Sequence, residues 1–491
     1  MSTSKESLLP YANLYRSTVS RKWFKLACVL IVASFLLLAL FYNRDLEGSQ
    51  TGWQTTTSPA EGSLLELELH SPVHEEEPEP QKQNAVVEQE QDSLDPLVVL
   101  KGAPTTHFRD NLRPDVKYIS SWPDAGWTND VMTYANLIYL GLITERVPIL
   151  PMFYPSHIGY DKQPIAFSDV FDIDRMRKSI GKPIVEWKDV KDPKSEALDT
   201  LGCWNIWETV QNQSPEPRHS NSLAHLKLDI SYTKTPDWVK SFRQWPHDTH
   251  TSFWTLARFA FPETRDSNLV TPRPSPNNQV SLPPDDHLLC FDYLYYVCAD
   301  QPFEWDTDYS PSWRYVARYM YWTSSLQNLA DQYVRRTFGV AYSDPTPPYI
   351  TVHVRHGDFA NNCILDYKIP VEDCFAKIPV YARRVEEVKA EILEKRGIVV
   401  NHVIMTSDER DEGWWKEVEE QGWLAVDHSQ TKELYGDWYP ILIDAVIQSG
   451  GVGFVGTYGS TMSILAKRRV MEWHDGASRM VRWGTPNADD H

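Results

Sequence analysis

Arg355 and Asp358 stand at the exit of a β-branched, apolar run, YITVHV at 349–354, in the order His353-Val-Arg355-His356-Gly357-Asp358. A strand that hands an arginine straight into a crevice offers a planar fork of N–H donors, able to hold a phosphate through two bonds while Asp358 braces it. A buried Arg–Asp pair of purely structural use would leave the same letters. Two further polar clusters follow apolar runs in this half. Thr406-Ser407-Asp408-Glu409 comes after HVIM, where a carboxylate can accept from a guanine edge or a ribose hydroxyl, or simply cap a helix. Gly456-Thr457-Tyr458-Gly459-Ser460-Thr461 is a turn opening a helix, whose free amides and hydroxyls favour an anion. An arginine with His353 beside it, a base-reading Asp408 and an anion nest of Thr457, Ser460 and Thr461 together suit a nucleoside diphosphate.

A fourth cluster lies far upstream: Asp124-Ala-Gly126-Trp127-Thr128-Asn129-Asp130. Asn129 and Asp130 are good helix caps; Asp124, Asp130 and Asn129 are also candidate catalytic residues, the two carboxylates for taking a proton. Asp306 and Asp308 form a D-x-D pair of the kind that holds a metal on a nucleotide sugar, but they sit in a polar stretch with no apolar strand before them. No metal site is expected.

These clusters can act together only if the elements that carry them end side by side. The spacing predicts a strand at 349–354, a helix at 380–396 with Val385, Val388 and Ile392 on one face and Gly397 as its stop, a strand at 402–405, a helix at 411–421, a strand at 423–426, a helix at 439–449, a strand at 452–455 and a helix at 460–468. Strands separated by single helices make a parallel, doubly wound sheet, with ligands beyond the carboxyl ends of the strands. A second start of the same kind lies upstream, with a strand at 117–120, a helix at 129–145 and a strand at 147–150. Between 155 and 312 the Pro-rich segments TPRPSPNNQ and SLPPDD yield no ordered elements. Residues 312–338 read as one helix joining two α/β halves.

The chain of 491 residues holds 67 acidic and 48 basic side chains, 42% hydrophobic residues and 19 Trp. That much apolar mass buries a core and excludes a disordered protein. An acidic balance without a Lys/Arg stripe argues against nucleic acid as a partner. Residues 23–42 are uncharged but for Lys25, and LACVLIVASFLLLALFY together with Trp23 and Phe24 is long enough to span a bilayer. Basic residues precede it and acidic ones follow, which predicts a cytosolic tail at 1–22, an anchor at 23–42 and type II topology. Residues 43–112 read as a disordered acidic stem, since Glu, Gln, Ser, Thr and Pro cannot offset their ordering entropy. The folded part divides into an N-terminal α/β domain at 113–338 and a C-terminal Rossmann-like domain at 339–491. Close spacing suggests disulfides Cys290–Cys298 and Cys363–Cys374, with Cys203 left over, and Asn212-Gln-Ser214 is a glycosylation sequon.

At these residues the chain resembles the GDP-fucose protein O-fucosyltransferase family. His353-Val-Arg355-x-x-Asp358 is similar to its H-x-R-x-x-D segment, Thr406-Ser407-Asp408 to its T-D-x segment, residues 455–463 to its last donor-binding turn, and Gly126-Trp127-Thr128-Asn129 to its N-terminal turn. The resemblance implies two facing Rossmann-like domains of GT-B type and inverting, metal-independent transfer from GDP-fucose. Arg355 is then the leading catalytic residue, with Asp408 on guanine and Thr457, Ser460 and Thr461 on the diphosphate. Asp124 and Asp130 compete as base, and the location implied is a Golgi or endoplasmic reticulum membrane. The acceptor, a protein or glycan hydroxyl, is left open. Two other readings remain: a catalytically silent lumenal lectin or scaffold, and a transferase using another nucleotide sugar.

Overall fold

The run at 349–354 becomes a strand with all six residues buried, because helices cover both faces of its sheet. In this computed structural model, residues 94–211, 216–245 and 248–490 are described. The expected tail, anchor, most of the stem and the sequon lie outside them. Among the described residues no helix is long and apolar enough to cross a membrane.

The first sheet contains β1 (Tyr118–Ser121), β2 (Val147–Leu150), β3 (Val185–Glu186), β4 (Asp199–Asn205), β5 (Leu228–Lys234) and, after the short β6 (Thr251–Ser252), β7 (Leu288–Phe291). Its order is β3-β2-β1-β7-β4-β5, all pairs parallel, while β6 pairs with β8 (Val297–Cys298) as a separate ladder. The second sheet contains β9 (Tyr349–Val354), β10 (His402–Ser407), β11 (Leu424–Ala425), β12 (Gly453–Thr457) and β13 (Ala477–Val481), ordered β11-β10-β9-β12-β13 and again parallel. The chain winds outward from β9 through β10 to β11, then returns to the other side of β9. The carboxyl ends of β9 and β12 therefore flank the point where winding reverses, the place where such sheets open a crevice. The first sheet reverses likewise between β1 and β7.

The principal helices are α1 (Trp127–Thr144), α2 (Pro311–Tyr315), α3 (Ser324–Phe338), α4 (Ile378–Arg396), α5 (Glu412–Glu420), α6 (Tyr439–Gly450) and α7 (Thr461–His474). The apolar face read for α4 packs Val385, Val388 and Ile392 against Ile350, Val352 and Val455 of the sheet, and Gly397 ends the helix at φ 65°. On the opposite face, Leu442, Ile443 and Leu465 share one apolar cluster with Ile119, Val131 and Leu137 of the upstream half.

Several expectations change. Leu100, Phe108 and Leu112 are buried against β1 and β4 residues, so 94–112 belong to the folded body rather than to the stem. The helix expected over 312–338 is broken: α2 ends where Val316 leaves helical geometry, and α3 starts afresh with Thr323 as its N-cap. α3 packs beside the C-terminal sheet, with Tyr333 Oη bonded to Thr431 Oγ1 at 2.7 Å. The unreadable stretch carries β3 to β8, each two to seven residues long.

Cysteine pairing also differs. Cys203 on β4 is bonded to Cys290 on β7 and Cys363 to Cys374, leaving Cys298 buried and free. Adjacency in the sheet, not adjacency in sequence, selects Cys203. The bridge spans 87 residues, for which loop-closure entropy gives at most about 4.5 kcal/mol. Replacing Cys203 and Cys290 together by Ser is expected to cost about 2–5 kcal/mol in denaturant unfolding; an unchanged midpoint would show that the bridge adds nothing.

Candidate functional site

Arg355 leaves β9 at the winding reversal and is neither walled off nor free. Its Nη2 donates to Asp358 Oδ1 at 2.8 Å and its Nη1 to Asp408 Oδ2 at 2.7 Å, with the side chain 27% exposed. Two carboxylates thus fix the plane of the fork and leave its remaining N–H groups for a ligand. The backbone follows the same logic. Arg355 N–H donates to Thr457 Oγ1 at 3.0 Å, Thr457 Oγ1 donates to the His353 carbonyl at 3.2 Å, and Tyr381 Oη lies 2.9 Å from that hydroxyl. Thr457 is buried, and it pins the exit of β9 to the end of β12 instead of facing solvent.

His353 is likewise inside the sheet, its Nδ1 2.7 Å from Ser463 Oγ. Burial, and secondly the charge of Arg355, push its imidazole down to about 3, so it is neutral at working pH. Ser460 caps α7 by accepting from Ser463 N–H. Thr461, half-buried on the first turn, reaches Thr128 Oγ1 of the upstream half at 2.6 Å. Asp408, expected to read a base, accepts from His356 N–H at 2.8 Å with one oxygen and holds Arg355 with the other. A Cβ at Gly357 would collide with the Asp408 carboxylate, so this approach requires glycine.

On the facing side, Gly126 N-caps α1 by accepting from Asn129 N–H at 2.8 Å, and a Cβ there would meet the His157 ring at 2.8 Å. Asn129 is half-buried on the first turn. Asp130 is fully buried; its Oδ1 accepts from Ala125 N–H at 3.0 Å, closing the turn, and burial raises its pKa far above the carboxylate range. Its Oδ2 is buried with no hydrogen-bond partner among the described residues. Asp124 differs. Its Oδ2 accepts from the Asn221 backbone N–H at 2.8 Å and side-chain Nδ2 at 2.9 Å, with the imidazole of His219 3.8 Å away, while buried Oδ1 has no hydrogen-bond partner among the described residues. Burial, opposed by the Asn221 bonds, raises its pKa.

Three participants escape sequence reading. His157, exposed on the loop after β2, is crowded by its surroundings and lies within the field of Arg355, and both effects hold its pKa low. The His356 ring, stacked on Phe375 at 4.2 Å, ties the Arg355 loop to the next one through Glu409 Oε2 at 2.6 Å. Asp292, just past β7, accepts backbone N–H bonds from Ile206, Trp207 and Arg218; burial outweighs them and pushes its carboxyl up to about 7. Only the adjacency of β1 and β7 relates Asp292 to Asp124. Asp306 and Asp308 hold Lys467 and Arg468, each at 2.6 Å, and no group of three or more potential metal ligands occurs among the described residues.

Comparison with known proteins returns a family model, GDP-fucose protein O-fucosyltransferase, that matches residues 118–471. No curated protein matches. Among solved structures, POFUT1 in complex with GDP-fucose is 14% identical, covers 76% of this chain and 99% of its own, and has a TM-score of 0.46. A fucosyltransferase, NodZ from Bradyrhizobium, is 15% identical, covers 72% and 93% respectively, and has a TM-score of 0.35. The match over most of the folded sequence encloses Arg355, Asp408 and the turn into α7 in one region, so the chain belongs to the GDP-fucose protein O-fucosyltransferase family and is a GDP-sugar glycosyltransferase.

Proposed function

We propose that this chain transfers fucose from GDP-fucose to a hydroxyl of a glycoprotein or glycan, with inversion and without a metal. In this reading it has a GT-B-like pair of facing domains and works as a single-pass type II protein of the Golgi or endoplasmic reticulum membrane, anchored by residues 23–42. The observation that carries the reading is Arg355, set at the winding reversal between β9 and β12 beside the amino end of α7.

Cleaving the bond from sugar to diphosphate puts negative charge on the departing GDP and positive charge on the anomeric carbon. Arg355 and the first amides of α7 take up the negative charge as it develops. Asp124 accepts the acceptor hydroxyl proton on its unpartnered Oδ1, which is buried here and is uncovered as the acceptor enters, the new oxygen–carbon bond forms on the face opposite the leaving group, and the electron pair of the broken bond stays on GDP. Asp408 turns from Arg355 to the guanine edge when the donor enters, freeing a donor of the fork for phosphate. The engagement of Asp306 and Asp308 by Lys467 and Arg468 supports chemistry that does not route through them.

Titrating the purified protein with GDP, UDP and ADP tests the donor assignment. GDP is expected to bind at least tenfold more tightly than the others, the size of discrimination that a carboxylate reading the base edge provides. Equal binding of all three would reject the guanine reading, and no binding would support a silent scaffold. Full turnover in chelator, with a product of anomeric configuration opposite to the donor, checks the metal-free and inverting parts.

A further inference from the structure

The D-x-D pair has a different occupation. Lys467 Nζ donates to Asp306 Oδ1 and Arg468 Nη1 to Asp308 Oδ1, each at 2.6 Å, so two carboxylates of the upstream half grip the middle of α7. Arg468 is nearly buried, with its guanidinium 5.1 Å over the Trp313 ring of α2. Further along α7, Arg469 lies 4.3 Å over Trp322, Glu472 pairs with Arg318, and Trp473 Nε1 donates to the Arg318 carbonyl at 2.8 Å. At the amino end stands the Thr128–Thr461 contact. The helix that presents Ser460 and Thr461 is thus docked along its length on the upstream half.

We infer that Asp306 and Asp308 are positioning residues: an electrostatic latch that locks α7 to the upstream half and so holds its amino-terminal turn against the donor diphosphate. The inference rests on the proposal that this turn holds the donor. Rigid coupling is the physical basis. Lys467 and Arg468 lie about 10 Å down the helix axis from Thr461, too far to touch the diphosphate, and a helix of this length moves as one body. The latch is sensitive to salt, because a cavity of about 270 Å³ lined by Lys467, Asp306, Tyr458, Arg479 and Arg482 brings water to one pair and Asp308 is 87% exposed in the other.

The test compares wild type with Asp306→Asn/Asp308→Asn and with the exchange Asp306→Lys/Lys467→Asp. Three readouts are needed: GDP affinity across a salt series, kcat at saturating donor, and hydrogen exchange of residues 461–474 without ligand. The double Asn variant is expected to bind GDP about tenfold more weakly, as two partly exposed ion pairs can supply, to lose most of the salt dependence of that affinity, and to keep kcat within about twofold. Exchange in 461–474 should rise. The charge exchange should restore affinity to within about threefold, which a merely damaged fold would not do. Unchanged GDP affinity and unchanged exchange in the Asn variant overturn the inference, as does a divalent ion that tightens GDP binding to wild type alone, since the pair would then be a metal site. If wild type binds no GDP while exchange in 461–474 still rises in the variant, the donor reading fails and the mechanical latch stands.

Discussion

Arg355→Ala is expected to slow transfer by 10²- to 10³-fold or more, about 3 kcal/mol of transition-state stabilisation, while the protein still folds. The two costs differ in size for a reason visible in the geometry. The pairs with Asp358 and Asp408 are partly exposed, at 48% and 27%, and such pairs contribute about 0–1 kcal/mol to folding. The same guanidinium facing a leaving diphosphate acts where charge appears only as the bond breaks, so its loss falls mainly on kcat. Arg355→Lys is expected to remain at least about tenfold below wild type, because a single ammonium cannot bond Asp358 and hold a phosphate through two bonds in one plane. Steady-state kinetics with a thermal unfolding curve for each variant decides. Turnover near wild type in Arg355→Ala would remove the central element of the mechanism.

Asp124→Asn has the next largest expected effect, a loss of about 10²- to 10⁴-fold in kcat, the range general-base catalysis supplies. Burial raises the Asp124 pKa, and only the ionised form accepts a proton. The wild-type rate should therefore rise with pH through a midpoint above the usual carboxylate range, and the limb should vanish in the Asn variant. Stability runs the other way. A carboxyl whose pKa is higher in the fold than in the unfolded chain stabilises most below the unfolded value, and that contribution is lost as pH rises through the folded value. The carbonyl oxygen of the substituted amide can still accept both bonds from Asn221, so the variant should be as stable as wild type at neutral pH. A pH–rate profile measured beside the unfolding midpoint separates the roles: full activity with the limb intact would hand the base to another group. Asp130→Asn, by contrast, alters a buried turn closure and should register in stability.

How much was legible before folding varied with the length and purity of the pattern. Strands β9 and β10 and helices α4, α5, α6 and α7 were readable because apolar residues recur at one period and Gly397, Asp411 and Ser460 punctuate the ends of α4, α5 and α7. β13 was missed: ASRMV is an edge strand with a partly exposed middle, so its sequence lacks the apolar run of a central strand. β3, at two residues, has no period at all. The break between α2 and α3 left no proline as a signal inside the helical reading, only the backbone departure at Val316.

The site divides along the same line. Local sequence by itself determined that Arg355, Asp408 and the Ser460 turn sit at strand ends, because a strand followed by polar residues and then a helix is a short-range instruction. Only the tertiary structure decided which of those side chains face the crevice, that His353 and Thr457 are internal, that Asp130 is fully buried and Asp124 nearly so, that Cys203 meets Cys290, and that Asp306 and Asp308 hold Lys467 and Arg468. Each of those outcomes depends on which strands become neighbours and on how deeply a group is packed. Strand order and burial depth are properties of the assembled chain, set by contacts between residues far apart in sequence, and no local pattern encodes them.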